Sequence, residues 1–234
     1  MLPSDFSVYL QIFAIIAIPI ILAITLHEAA HGWVAWKCGD DTAYRLGRVT
    51  FNPLRHIDPM GTIILPALLV FTTGFMLGYA KPVPVNFQRL RKPRRDMVLV
   101  AAAGPATNMI LALASAMALR LVPETGSETS TVLSEMFKYS IFFNVILAIF
   151  NMIPLPPLDG GRVAVGLLPY PLSLHLARLE RYGMIILLVA LIGLPLLGQQ
   201  IGMDLGIMGW ILRPVADYVV GLIYWVTGNT AGGL

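Results

Sequence analysis

Residues 6–36 read FSVYLQIFAIIAIPIILAITLHEAAHGWVAW, and this stretch decides the fold. Residues 6–26 carry no charge. A helix needs about 20 apolar residues to cross a ~30 Å hydrocarbon core, so the stretch reads as a membrane span. It is not expected to be a cleaved signal peptide. No basic residue stands before it, and the apolar pattern runs on through His27 to Trp36.

Outward from this segment, further uncharged runs cover 60–80, 97–119, 139–158 and 182–203. A last one, 205–226, is interrupted by Arg213, Pro214 and Asp217. The whole chain of 234 residues is 57% hydrophobic and 12% charged. The usual charged share is about 25%. Mean hydropathy is +0.76. These values exclude disorder and argue against a soluble globular domain, whose single core could not hide so much apolar surface. The single cysteine, Cys38, excludes a disulfide scaffold. The sequence therefore predicts an all-α polytopic membrane protein. About five transmembrane helices are expected in one domain over residues 1–234, with 201–234 as a terminal membrane-associated helix.

Charge placement gives an orientation. Lys81, Arg89, Arg91, Lys92, Arg94 and Arg95 form one basic cluster. Lys37, Arg45, Arg48 and Arg55 form a second, and Arg162, Arg178 and Arg181 a third. The loop 122–136 holds Glu124, Glu128 and Glu135 and no Lys or Arg. The positive-inside rule puts the basic clusters in the cytoplasm and the acidic loop outside. Basic clusters lying between apolar runs read as membrane-flanking charge, so no nucleic-acid partner is expected. With cytoplasmic charge on both flanks, 60–80 cannot be a simple span. Pro66, Gly74 and Gly78 suit a re-entrant or broken path there. A full span that places the following cluster outside is the alternative.

His27-Glu28-Ala29-Ala30-His31 is an H-E-x-x-H sequence. Residues four apart on a helix share a face, so both imidazoles can reach one metal. Glu28 beside them can act as general base on an activated water. Two histidines and a glutamate at the end of an apolar helix are costly unless paired or bound to metal. A hydrolytic zinc site needs a third protein ligand. Asp58, Asp96, Asp159, Asp204 and Asp217 lie in or beside apolar runs. Asp159 stands out, following Asn151-Met152-Ile153-Pro154-Leu155-Pro156-Pro157-Leu158 and preceding Gly160-Gly161. The prolines break the helix, and the glycines permit a close turn. By itself Asp159 also fits a helix N-cap.

The pair His27–Gly32 and Asn151–Gly160 resembles the site-2 protease family of intramembrane zinc metalloproteases. The stretch from Phe51 to Thr62, FNPLRHIDPMGT, is similar to the compact bacterial branch without a PDZ domain. Ala103-Gly104-Pro105-Ala106-Thr107-Asn108 resembles that family's Gly-Pro segment. The likeness covers about residues 7–200. It implies one zinc per chain held by His27, His31 and Asp159, with Glu28 as catalytic base. It implies that Asn151 contacts the substrate backbone or oxyanion, a cap or interhelical hydrogen bond being the other reading. It further implies a transmembrane or signal-peptide-like substrate and a bacterial inner membrane. A loop of about 15 residues at 122–136 leaves no room for a PDZ domain, since domains start near ~50 residues.

A peptide bond in a membrane helix is shielded by its own hydrogen bonds and must unwind before attack. A strand edge could then accept the unwound chain. Lys81-Pro82-Val83-Pro84-Val85-Asn86 is a candidate β-edge at the cytoplasmic side, with residues 44–51 as its partner strand. A plain extended linker is the other reading. His56 fits a turn better than a ligand set, and His175 carries no expected role. A membrane zinc transporter or scaffold without peptidase activity is the functional alternative, since it needs metal ligands but not Glu28.

Overall fold

The structure is a computed structural model that describes residues 4–56, 58, 60, 64, 81–123, 125–206 and 208–229. Its described residues are helical or irregular, with no strand among them. The first helix, α1, is Ser4–Lys37, followed by a single turn, α2, at Thr42–Arg45. Next come α3 (Pro93–Leu119), α4 (Glu128–Asn151), α5 (Asp159–Leu167) and α6 (Tyr170–Arg178). Then follow α7 (Glu180–Leu188), α8 (Leu194–Ile201) and α9 (Arg213–Thr227). A π turn at Val189–Gly193 joins α7 to α8, and a second at Met208–Leu212 leads into α9.

Four described helical segments are long and apolar enough to cross a bilayer: Gln11–Lys37, Pro93–Leu119, Glu128–Asn151 and Glu180–Ile201. The run 205–226 yields instead a π turn and a helix whose first residues are Arg213 and Pro214. Apart from Met60 and Ile64, the path expected for 60–80 lies outside the described residues. Large apolar side chains such as Phe13, Ile110 and Trp225 stay exposed on the helix surfaces. In water that would be an aggregation liability, whereas in a bilayer it is the lipid-facing surface.

Helices α1, α3 and α4 pack on one another, α5 packs on α3, and α9 covers α4 and α3. Small residues let α3 approach its neighbours. Ala112 and Ala116 are fully buried against Ile141 and Val145 of α4 and Val220 and Ile223 of α9. This apolar cluster fills the end of the bundle toward the acidic loop. A second one, Ala35, Leu90 and Val100, closes the basic end. The polar site described next lies between the two.

The expected strand pairing is absent among the described residues. Tyr44 and Arg45 belong to α2 rather than to a strand. Just before this turn, Asp40 Oδ1 accepts the Thr42 N–H at 3.1 Å. Residues 81–86 run without regular structure, and Pro82 and Pro84 have no N–H to give a ladder.

Candidate metal centre

His27 and His31 lie one turn apart on α1, and Asp159 is the first residue of α5. They are 6%, 8% and 7% exposed. One ligand atom from each lies within 4.8 Å of the others. The two Nε2 atoms are 3.0 Å apart. Asp159 Oδ2 is 3.2 Å from His27 Nε2 and 3.3 Å from His31 Nε2. The same oxygen is buried without a hydrogen-bond partner. Ligands at about 2.0–2.1 Å from a tetrahedral zinc stand roughly 3.3 Å from one another. The three atoms are already spaced that way, and each is a lone-pair donor. The residues fit the metal.

Hydrogen bonds on the far side of each ring leave both Nε2 atoms free for it. His27 Nδ1 donates to Asn108 Oδ1 at 2.5 Å, and His31 Nδ1 donates to the Val100 carbonyl at 2.7 Å. A ring that gives its hydrogen from Nδ1 keeps its Nε2 lone pair for a ligand role.

Two close approaches build the cavity. A Cβ on Gly104 would stand 2.5 Å from the Nε2 atoms of both His27 and His31. Only glycine lets α3 sit that near the pair. The loop before α5 folds back on the helix start in the same way, since a Cβ on Gly160 would meet the Met152 carbonyl at 2.2 Å. That fold turns Asp159 toward α1. Leu158, not Asp159, occupies the N-cap position.

Glu28 is half-buried beside the pair, and its Oε2 accepts the Val83 N–H at 2.7 Å. The segment carrying Val83 is anchored at both ends. Lys81 N–H donates to the His56 carbonyl at 2.9 Å, and Asn86 N–H donates to Asp40 Oδ2 at 2.6 Å. The expected edge segment therefore lies along the carboxylate as a braced, extended strap.

Asn151, the last residue of α4, donates from Nδ2 to the Leu147 carbonyl at 3.0 Å. That bond stays within its own helix, four residues back, and leaves one amide hydrogen over. His56 is buried, with Nε2 donating to the Thr50 carbonyl at 3.1 Å, and it stands outside the three-residue group. Cys38 also stands outside it. His175 is exposed and bonds its own helix through the Pro171 carbonyl. Sequence reading passed over Asn108, Asn144 and Gly104 as site residues. A signal was there: two asparagines inside apolar runs, one of them four residues after a glycine and so on its face of the helix.

Residues 14–192 match the model of peptidase family M50. A Bacillus subtilis (strain 168) protein named "Putative zinc metalloprotease YwhC" is 42% identical over 184 residues, covering 77% of this chain and 81% of that one. Proteins named "Putative zinc metalloprotease Rip2" from Mycolicibacterium smegmatis and Mycobacterium tuberculosis are each 28% identical. They match over 79% and 83% of this chain and 69% and 73% of their own length. No solved structure matches at the same stringency. On the family match and the relative that is 42% identical over 184 residues, the chain belongs to peptidase family M50, the site-2 protease family.

Proposed function

We propose that this protein is an intramembrane zinc endopeptidase, with one zinc per chain held by His27, His31 and Asp159. One observation carries the reading. The orphaned Asp159 Oδ2 faces two histidine Nε2 atoms, on the helix that also carries Glu28. The relatives' names and the family support a zinc peptidase.

Zinc held there would supply Lewis-acid chemistry, polarising the scissile carbonyl and lowering the pKa of water so that a base can deprotonate it near neutral pH. The rest falls to the chain's own residues. Glu28 accepts the proton of the attacking water and delivers it to the leaving amine. The Val83 N–H holds one of its oxygens, leaving the other for that exchange. Asn151 has a spare amide hydrogen that can donate to a substrate carbonyl or oxyanion. Apolar packing at both ends of the site restricts bulk water.

The substrate is a transmembrane segment or a signal-peptide-like helix, unwound before cleavage. His31 and His27 lie about 9 and 15 Å along α1 from Lys37, at a rise of about 1.5 Å per residue. That depth suits a bond near the basic end of the bundle. By the positive-inside rule this end faces the cytoplasm, and bacterial relatives favour the inner membrane. The lipid bilayer is the solvent of the whole unit, residues 1–234, and no nucleic-acid partner is proposed.

The test is metal content by mass spectrometry on detergent-purified protein, wild type beside Asp159→Ala. One zinc per chain, lost in the variant, supports the site. Equal zinc in both removes Asp159 from it and overturns the assignment.

A further inference from the structure

Two buried amides deep in the apolar bundle are not used by the reaction above. Asn108 on α3 is 0% exposed, and Asn144 on α4 is 1% exposed. A polar group at this depth is costly unless its hydrogen-bonding atoms find partners. Both do, and the partners fix which way each amide faces.

Backbone carbonyls can only accept, and two of them set both amides. The Ala23 carbonyl on α1 lies 3.3 Å from one terminal atom of Asn108, so that atom is Nδ2. The Ser140 carbonyl on α4 lies 2.8 Å from one terminal atom of Asn144, so that atom is Nδ2 as well. With both amides set, Asn108 Nδ2 donates to Asn144 Oδ1 at 2.8 Å. Asn108 Oδ1 is then an acceptor, and what it faces at 2.5 Å is His27 Nδ1. His27 must carry its hydrogen there. Its Nε2 is consequently a bare lone pair, directed at Asp159 and His31. Two backbone carbonyls on two different helices dictate the tautomer of one metal ligand through a relay of side-chain amides.

We propose that Asn108, held in register by Asn144, is the positioning residue that locks the tautomer and ring orientation of His27 for metal binding. The proposal rests on the metal reading above. His31 has a simpler device, a direct bond to the Val100 carbonyl. Both ligand histidines thus lean on neutral acceptors. A carboxylate at 108 would accept the same hydrogen but bring another charge into an apolar surround.

The test is zinc affinity of the full chain in detergent, read by competition with a chelator, together with the visible spectrum of the Co2+-loaded protein. Asn108→Leu keeps the volume and removes the acceptor. Its zinc Kd is expected to rise by about 10- to 100-fold, the usual cost of losing such a partner, with an altered Co2+ spectrum. Asn144→Leu removes the shorter of the two bonds made by Asn108 Nδ2, leaves the 3.3 Å bond to Ala23, and is expected to fall between wild type and Asn108→Leu. Asn108→Asp retains the acceptor facing Nδ1 and is expected to hold zinc far better than Asn108→Leu. This rescue separates positioning from packing, because both variants lose the donors of Asn108 and only one loses its acceptor.

Unchanged zinc affinity and Co2+ spectrum in Asn108→Leu overturn the proposal while leaving the zinc site standing. So does a lowered melting temperature of the metal-free Asn108→Leu protein with affinity unchanged, which is the mark of a merely structural amide. If Asn108→Leu does not fold, zinc loss in Asn108→Asp as complete as in Asp159→Ala overturns it. Wild-type protein that takes up no zinc overturns this proposal and the metal reading together.

Discussion

The Val83 N–H donates to Glu28 Oε2 at 2.7 Å, joining two residues 55 positions apart in the chain. A carboxylate that accepts a backbone donor is held in one orientation, and such a charge-assisted bond contributes about 1.5–3 kcal/mol. Val83→Pro deletes that donor and puts the ring Cδ where its hydrogen pointed, so the Glu28 carboxylate loses the bond and is pushed aside. Peptide cleavage in proteoliposomes is expected to fall by about 10- to 100-fold, at roughly 1.4 kcal/mol per tenfold. Zinc content should stay unchanged. Val83→Ala keeps the N–H and should cleave at nearly the wild-type rate. Equal rates for Val83→Pro and Val83→Ala would show that the bond does nothing for the base.

Glu28→Gln tests the base itself. Glutamine keeps the shape and can still accept from Val83 N–H, but it cannot take up a proton. Cleavage is expected to drop by about 100- to 10,000-fold. Zinc stoichiometry should equal wild type, since Glu28 is outside the three-atom cluster. A variant that still cuts a single-span substrate at the normal rate would remove Glu28 from the mechanism.

Gly104→Ala sets two effects against each other. Alanine is favoured over glycine inside a helix by about 1 kcal/mol. Here its Cβ would press on both ligand nitrogens at 2.5 Å. Neither ring can yield without leaving its Nδ1 partner, so the steric effect wins. The variant is expected to lose zinc and to melt at a lower temperature than wild type. A gain in melting temperature with zinc retained would mean that α3 can back away freely.

Asp40 is fully buried and accepts from Thr42 Oγ1 and from the N–H groups of Thr42 and Asn86. Asp40→Ala strands these donors, each at a cost of about 1–3 kcal/mol. Denaturation should show a loss of several kcal/mol. Because Asn86 N–H is one anchor of the strap, cleavage should also fall while zinc remains. Unaltered activity in a destabilised variant would separate the strap from catalysis.

Much of this arrangement was legible in the sequence because it is written locally. The four described helices long and apolar enough to cross a bilayer overlap long apolar runs of the sequence, and His27 and His31 share a helix face by spacing alone. Asp159 stood out because prolines and glycines bracket it. The strand expected at 44–51 is not there among the described residues: Tyr44 and Arg45 close a helical turn, and 46–51 follow in turns and bends. The relay from Ser140 through Asn144 and Asn108 to His27 was illegible for another reason. It needs three helices to meet, with partners 36 and 81 residues apart. No pattern within one apolar run announces such a meeting.

The strap at 81–86 has two prolines and therefore only four N–H groups, of which Lys81, Val83 and Asn86 already point theirs at His56, Glu28 and Asp40. What remains along it is chiefly carbonyl oxygen. A peptide laid beside it would have to do most of the giving, from its own main-chain nitrogens. Such a surface discriminates by what a visitor lacks: a proline in the paired stretch of the substrate would forfeit a contact that no side chain could replace.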